Sequence, residues 1–209
     1  MGFDFEQVIS TEDELRHVLG YPHERVIRKV IGHIDVHCRT FIEHSPFLIL
    51  GSVSRTGEVD LSPKDDLAGF VQVLDERTLA IPDRIGNKRA DTLTNILTNP
   101  QVGLYFLVPG HKDTLRVTGT AKIVRDAWLR ERMSMRDSLP DLAIVVEVQR
   151  AYFHCAKCLI RSDLWSTDRW PITSALPTLA QIMVDHGKLN SDVAEMEETI
   201  ATAYREKLY

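Results

Sequence analysis

Val102-Gly103-Leu104-Tyr105-Phe106-Leu107-Val108, then Pro109-Gly110, then Thr114–Val124 is the stretch that decides the fold. Two apolar runs rich in branched and aromatic residues flank a Pro-Gly pair, which reads as strand, turn, strand. Downstream, Ala143–Arg150 is a further apolar run of strand length. Upstream, Asn99-Pro100 ends a helical pattern from Asn87 to Thr98, with Leu93, Ile96 and Leu97 on one face. Before it, Phe70–Leu74 and Thr78–Ile81 flank Asp75-Glu76-Arg77 as a hairpin. Phe47–Ser54 is closed by the turn residues Arg55-Thr56-Gly57, and Val59–Ser62 alternates apolar with polar. Six or seven short strands with tight turns and one inserted helix predict a closed antiparallel barrel. The βαβαβ alternation of a parallel α/β sheet is absent.

Both ends of the chain read as helix. Thr11 and Glu14 form a T-x-x-E capping box, followed by Leu15, Val18 and Leu19 and a stop at Gly20. Pro22 suits the first turn of a second helix, in which Val26, Val30, Ile34, Cys38 and Ile42 recur every four residues until Ser45-Pro46. Trp165–Pro177 reads as a long ordered loop, and helix resumes from Thr178 with a break near His186-Gly187. The expected organisation is one domain in three parts: helical extension 1–45, barrel 46–165, and loop with helical tail 166–209.

Composition narrows the function. The 209 residues are 44% hydrophobic and 26% charged, so the chain can build a core and disorder is excluded. Net charge is −5, without the basic excess of a general nucleic-acid binder. No apolar run approaches the roughly 18 residues a membrane span needs. The first residues lack a basic and an apolar signal region, and three cysteines are too few for a disulfide framework, so a cytoplasmic location is expected.

One segment carries chemistry: Ile81-Pro82-Asp83-Arg84-Ile85-Gly86-Asn87-Lys88-Arg89-Ala90-Asp91-Thr92. A strand ends, a Gly-containing turn follows and a helix begins. Asn87 is a good helix N-cap, which would place Lys88 and Arg89 in the first helical turn. Cations there oppose the helix dipole unless an anion binds beside them. With Arg84 they make a phosphate cradle; the alternative is a set of solvated surface charges. No Walker pattern or G-x-G-x-x-G is present.

The chain resembles the pyridoxamine-phosphate-oxidase-like flavoproteins, whose fold is a split β-barrel that binds FMN. It is most similar to an uncharacterised subgroup of FMN-dependent enzymes, over nearly the whole chain. The resemblance rests on Phe41–Phe47, Val59-Asp60-Leu61-Ser62-Pro63-Lys64, Gly69-Phe70-Val71 and Asp75–Arg84. It continues through Gly86-Asn87-Lys88-Arg89, Asn99–Leu104, Pro109-Gly110, Thr114-Leu115-Arg116-Val117, Phe153–Lys157 and Arg161-Ser162-Asp163-Leu164-Trp165. It implies a mainly antiparallel, Greek-key-like split barrel with helical N- and C-terminal extensions. It also implies a homodimer with two FMN sites at the subunit interface and redox chemistry on a small molecule.

Carried over by residue, the resemblance puts the FMN phosphate at Arg84, Asn87, Lys88 and Arg89, and the ring or ribityl chain at Ser62 and Lys64. Pro82 and Asp83 are backbone contacts. Trp165 is implied as a lid, and Lys157 and Arg161 as cations for an anionic substrate. No residue is an evident acid–base catalyst, His154 being the single candidate. The chain departs from the subgroup where Arg-Gly is expected and Lys64-Asp65 stands. Lys keeps the charge but loses the planar fork of Arg. Two alternatives stay open: a non-catalytic flavin- or haem-binding protein on the same barrel, and an F420-dependent reductase.

Other patterns carry less. His33 and His37 have the i, i+4 spacing of metal ligands, but no third ligand is near. Cys155-Ala156-Lys157-Cys158 is a C-x-x-C, one pair where a structural zinc site wants four ligands, and it lacks the βαβ context of a thioredoxin-like motif. No metal is expected.

Overall fold

A computed structural model describes residues 2–208. Seven strands form one antiparallel sheet: β1 (Phe47–Val53), β2 (Val59–Asp65), β3 (Gln72–Val73), β4 (Thr78–Asp83), β5 (Gln101–Leu107), β6 (Thr114–Val124) and β7 (Leu142–His154), in the order β2-β1-β5-β6-β7-β4-β3. Around it lie α1 (Glu12–Leu19), α2 (Glu24–Arg28), α3 (Val36–His44), α4 (Asp91–Thr98), α5 (Ala127–Arg132), α6 (Lys157–Arg161), α7 (Leu179–Gly187) and α8 (Val193–Glu206). β5, β6 and β7 form a meander, and β4 returns beside β7 rather than β5, which makes a Greek key. The mainly-β split barrel with helical ends is the architecture expected, and the hairpins fall where their turn residues place them.

The barrel is not closed by backbone pairing, because β2 and β3 are edge strands. Side chains bridge the seam instead: Lys64 and Asp66, at the end of β2, pair with Asp83 and Arg84, at the end of β4. Pro63 and Pro82 are compatible with this arrangement. Proline cannot donate to a ladder, and β2 is an edge while β3 pairs only with Leu79 and Ala80 of β4.

The interior holds Leu48, Leu50, Leu79, Ile81, Leu104, Phe106, Leu115, Val117, Ile144 and Val146, joined by Ile34, Cys38 and Ile42. Each fully buried aliphatic side chain contributes about 1.5–3 kcal/mol relative to exposure. Ala80, Ala143 and Val145, on the opposite side of β4 and β7, pack with Leu129 and Met133 at α5. That helix was not visible in the sequence: six residues bury only Leu129, too few for a helical period. A bulge interrupts the β6–β7 pairing at Thr118/Gly119, where a side chain on Gly119 would collide with the Glu147 carbonyl.

The single long helix expected across Val26–Ile42 is instead two. Between α2 and α3, Ile31 exchanges two backbone hydrogen bonds with Ala151 of β7 (3.0 and 2.7 Å), and the Ile34 amide donates to the Glu76 carbonyl (2.7 Å). Asp35 then caps α3 by accepting from the Cys38 amide at 2.8 Å. The four-residue spacing of Ile34, Cys38 and Ile42 reports burial against the barrel, while Val26 and Val30 remain exposed. His33 therefore precedes α3 while His37 is within it, and the two do not share a helix face.

At the chain ends, the Thr11 capping box and Gly20 stop of α1 form as expected. Yet α1, α2 and α8 bury no residue, and Phe3, Phe5, Val18, Leu19 and Tyr21 are exposed.

Candidate functional site

The seam between the ends of β2 and β4 opens into a groove of about 910 Å³, walled by the loop from β4 to α4 and by Ser138–Asp141. Ser62, Lys64, Pro82, Asp83, Arg84, Asn87, Lys88 and Arg89 all line it. Strand alternation places Asp60, Ser62 and Lys64 on the less exposed face of β2, with Leu61, Pro63 and Asp65 on the other.

The floor is held by charged groups that already have partners. Lys64 Nζ lies 3.0 Å from Asp83 Oδ1. Arg84 Nε donates to Asp66 Oδ2 at 2.6 Å and its Nη2 to the Met133 carbonyl at 2.8 Å. The Arg84 side chain is 15% exposed and that of Asp66 only 1%, so this pair is part of the fold. Arg84 Nη1 is buried without a hydrogen-bond partner among the described residues. Thr92 at the start of α4 donates to Asp60 at 2.7 Å, tying helix to strand.

The loop above differs from the expectation. Asn87 does not cap α4; its side chain accepts from the Arg89 amide at 3.0 Å. The helix begins at Asp91, after Ala90, which has no side-chain capping bond and is left-handed at φ 58°. Lys88 is also left-handed, at φ 62°. Lys88 and Arg89 thus sit in the loop before the helix rather than in its first turn, and the acidic Asp91 occupies the end the dipole favours. Arg89 pairs with Asp91 at 2.7 Å, both exposed, and this contact holds its guanidinium above the ordinary range. Lys88 has no ion pair among the described residues. Four cations line the groove beside five carboxylates, Asp60, Asp65, Asp83, Asp91 and Asp141, so it is not the purely basic cradle the motif suggested.

The remaining candidates lie outside the groove of this chain. His154 ends β7 opposite Thr114. Burial first, then the charges of Arg116 and Lys29, hold its imidazole below the ordinary histidine range. Lys157 and Arg161 are exposed on α6. Trp165 donates its indole N–H to the His111 carbonyl at 2.8 Å, at the β5–β6 turn. Among the described residues no three His, Cys, Asp or Glu side chains come together as a metal site. No helix among them is long and apolar enough to cross a membrane. The sequence reading missed Asp66, the Asp60–Thr92 bond and the Met133 carbonyl; the only sequence signal was the acidic run after Lys64.

Comparison with known proteins follows the fold. HupZ of Group A Streptococcus is 18% identical, covering 56% of this chain and 91% of its own at a TM-score of 0.46. General Stress Protein 26 of Bacillus anthracis is 18% identical over 55% and 88%, at 0.42. An FMN-binding protein of Syntrophomonas wolfei is 15% identical over 68% and 92%, at 0.44. None of the curated proteins matches. The family model described as pyridoxamine 5'-phosphate oxidase matches residues 34–155, from the approach to α3 through the end of β7 and beyond half of the chain. The chain therefore belongs to the pyridoxamine 5'-phosphate oxidase family.

Proposed function

We propose that the groove between β2 and the β4–α4 loop binds FMN and that the protein is an FMN-dependent oxidoreductase acting on a small molecule. The observation that carries this reading is the convergence of Ser62, Lys64, Arg84, Lys88 and Arg89 on one groove. The orphaned Nη1 of Arg84 and the left-handed backbone at Lys88 and Ala90 support it. A left-handed conformation costs non-glycine residues roughly 1–2 kcal/mol each, and such strain gathers at ligand clamps.

In this reading Lys88 and Arg89 hold the phosphate. The Arg89–Asp91 pair is exposed and screened by solvent, so a dianion readily draws the guanidinium away. Arg84 offers Nη1 while Asp66 fixes its orientation. Ser62 and Lys64 face the ring or ribityl chain. When bound, the flavin supplies the electron or hydride exchange. The protein works as a homodimer in which a second copy brings Trp165, Lys157, Arg161 and His154 toward the groove. Support for pairing comes from the exposed apolar side chains of the N-terminal segment and of β2 (Val59, Leu61), and from the buried Arg116 Nε and Thr118 Oγ1 that lack hydrogen-bond partners among the described residues.

The test is an absorption spectrum of the purified protein, mass spectrometry of the compound released by heat, and light scattering for its mass in solution. A flavin spectrum, an FMN mass and a dimer are expected. A Soret band replaces flavin with haem, and a released F420 replaces FMN with the deazaflavin. A colourless protein that takes up no added FMN overturns the cofactor assignment, and a monomer that holds FMN overturns the shared site.

A further inference from the structure

The C-x-x-C pair was set aside on its sequence, but its backbone has a definite geometry. Cys155 follows the last residue of β7, and Cys158 is the second residue of α6. Between them Ala156 has helical dihedrals (φ −64°, ψ −10°), Lys157 is helical, and the Ile160 amide donates to the Ala156 carbonyl at 2.9 Å. The Cα distance from residue i to i+3 is set by the dihedrals of the two residues between them. Helical geometry makes it about 5 Å. Disulfides span Cα separations of roughly 4.4–6.8 Å. Both thiols are free, Cys155 exposed and Cys158 half-buried. Exposed Arg161 lies one helical turn beyond Cys158 on α6, which places a positive charge beside the pair.

We propose that Cys155 and Cys158 form a thiol–disulfide exchange site for small anionic disulfides of the glutathione disulfide class. The Cys155 thiolate attacks one sulfur of the disulfide; that S–S bond breaks, one glutathione leaves, and a mixed disulfide forms on Cys155. The Cys158 thiolate then attacks Sγ of Cys155 and expels the second glutathione. Two protein thiols become one disulfide, one glutathione disulfide becomes two thiols, and the two protein protons end on the leaving sulfurs. The order follows access: the exposed sulfur reacts first and the half-buried neighbour resolves. Cys38, 2% exposed, serves as an internal control; burial pushes its thiol up to about 12.

The test equilibrates the full chain in glutathione buffers from reduced to oxidised, quenches by alkylation and reads the intact mass. In oxidised buffer the wild type should lose the mass of two hydrogen atoms and leave one of its three cysteines, Cys38, alkylated only after denaturation. Cys158→Ser should accumulate a single glutathione adduct on Cys155, and Cys155→Ser should form neither adduct nor disulfide at a comparable rate. A wild type that stops at a stable glutathione adduct, links two chains through Cys155, or stays reduced in oxidised glutathione overturns the proposal. None of these readouts depends on a flavin, so failure here and failure of the FMN reading are told apart.

Discussion

The two halves of the groove treat their charges in opposite ways. At the β2–β4 seam, Lys64 and Arg84 are largely buried and face Asp83 and Asp66 across the gap between sheet edges. In the loop above, Lys88 and Arg89 are exposed, and the one ion pair they make among the described residues, Arg89 with Asp91, is exposed as well. The same residue types serve different ends. A buried cation is retained only with its counter-charge, so the seam pairs belong to the barrel. An exposed cation keeps its hydration and is free to exchange partners, so the loop is the part that can change its pairing when a ligand arrives.

Removing Arg84 gives the largest effect if this division holds. Arg84→Ala takes the guanidinium from a buried carboxylate and should lower stability by about 3–5 kcal/mol, read by denaturant unfolding. A loss below about 1 kcal/mol would make the seam no different from the loop. Lys88→Ala with Arg89→Ala should leave unfolding of the apo protein within about 0.5 kcal/mol of wild type. The same pair should weaken FMN binding at least about tenfold, since each hydrogen bond to a charged group contributes roughly 1.5–3 kcal/mol. Fluorescence titration with FMN checks this, and unchanged affinity would remove the phosphate from the loop. Thr92→Val breaks the bond to Asp60 and should cost about 1 kcal/mol, with a smaller change in FMN affinity than the loop variant.

The smallest effect lies outside the groove. His154 is held below its ordinary range, so the folded protein favours the neutral ring. Its contribution is present above the unfolded value near 6.5 and is lost as pH falls from there toward the lower folded value. His154→Asn should flatten the fall in melting temperature on acidification below about pH 6.5. An identical pH profile would mean the ring titrates alike in both states.

Much of this was open to a reader of the chain. The turns at Arg55-Thr56-Gly57 and Pro109-Gly110 and the runs between them place the strands, because a strand's period and a turn's dihedrals are local properties. The order in which Arg84, Asn87, Lys88 and Arg89 follow β4 marked the groove for the same reason. The start of α4 was misread because Asn87 found a closer partner in the Arg89 amide, a choice between two local bonds that propensity does not rank. The break between α2 and α3 was hidden because Ile31 and Ile34 take backbone partners on β7 and beside β4, more than forty residues away.

The sequence by itself determined a barrel of short antiparallel strands with helical ends, the location of a cationic turn and the family to which it is similar. Each follows from local periodicity, turn chemistry or the order of motifs. Only the tertiary structure decided which of those cations are structural. Lys64 meets Asp83 and Arg84 meets Asp66 across 19 and 18 residues of chain, at the point where two sheet edges come together. A carboxylate neutralises a cation through space, and no spacing along the chain records where the sheet will curl.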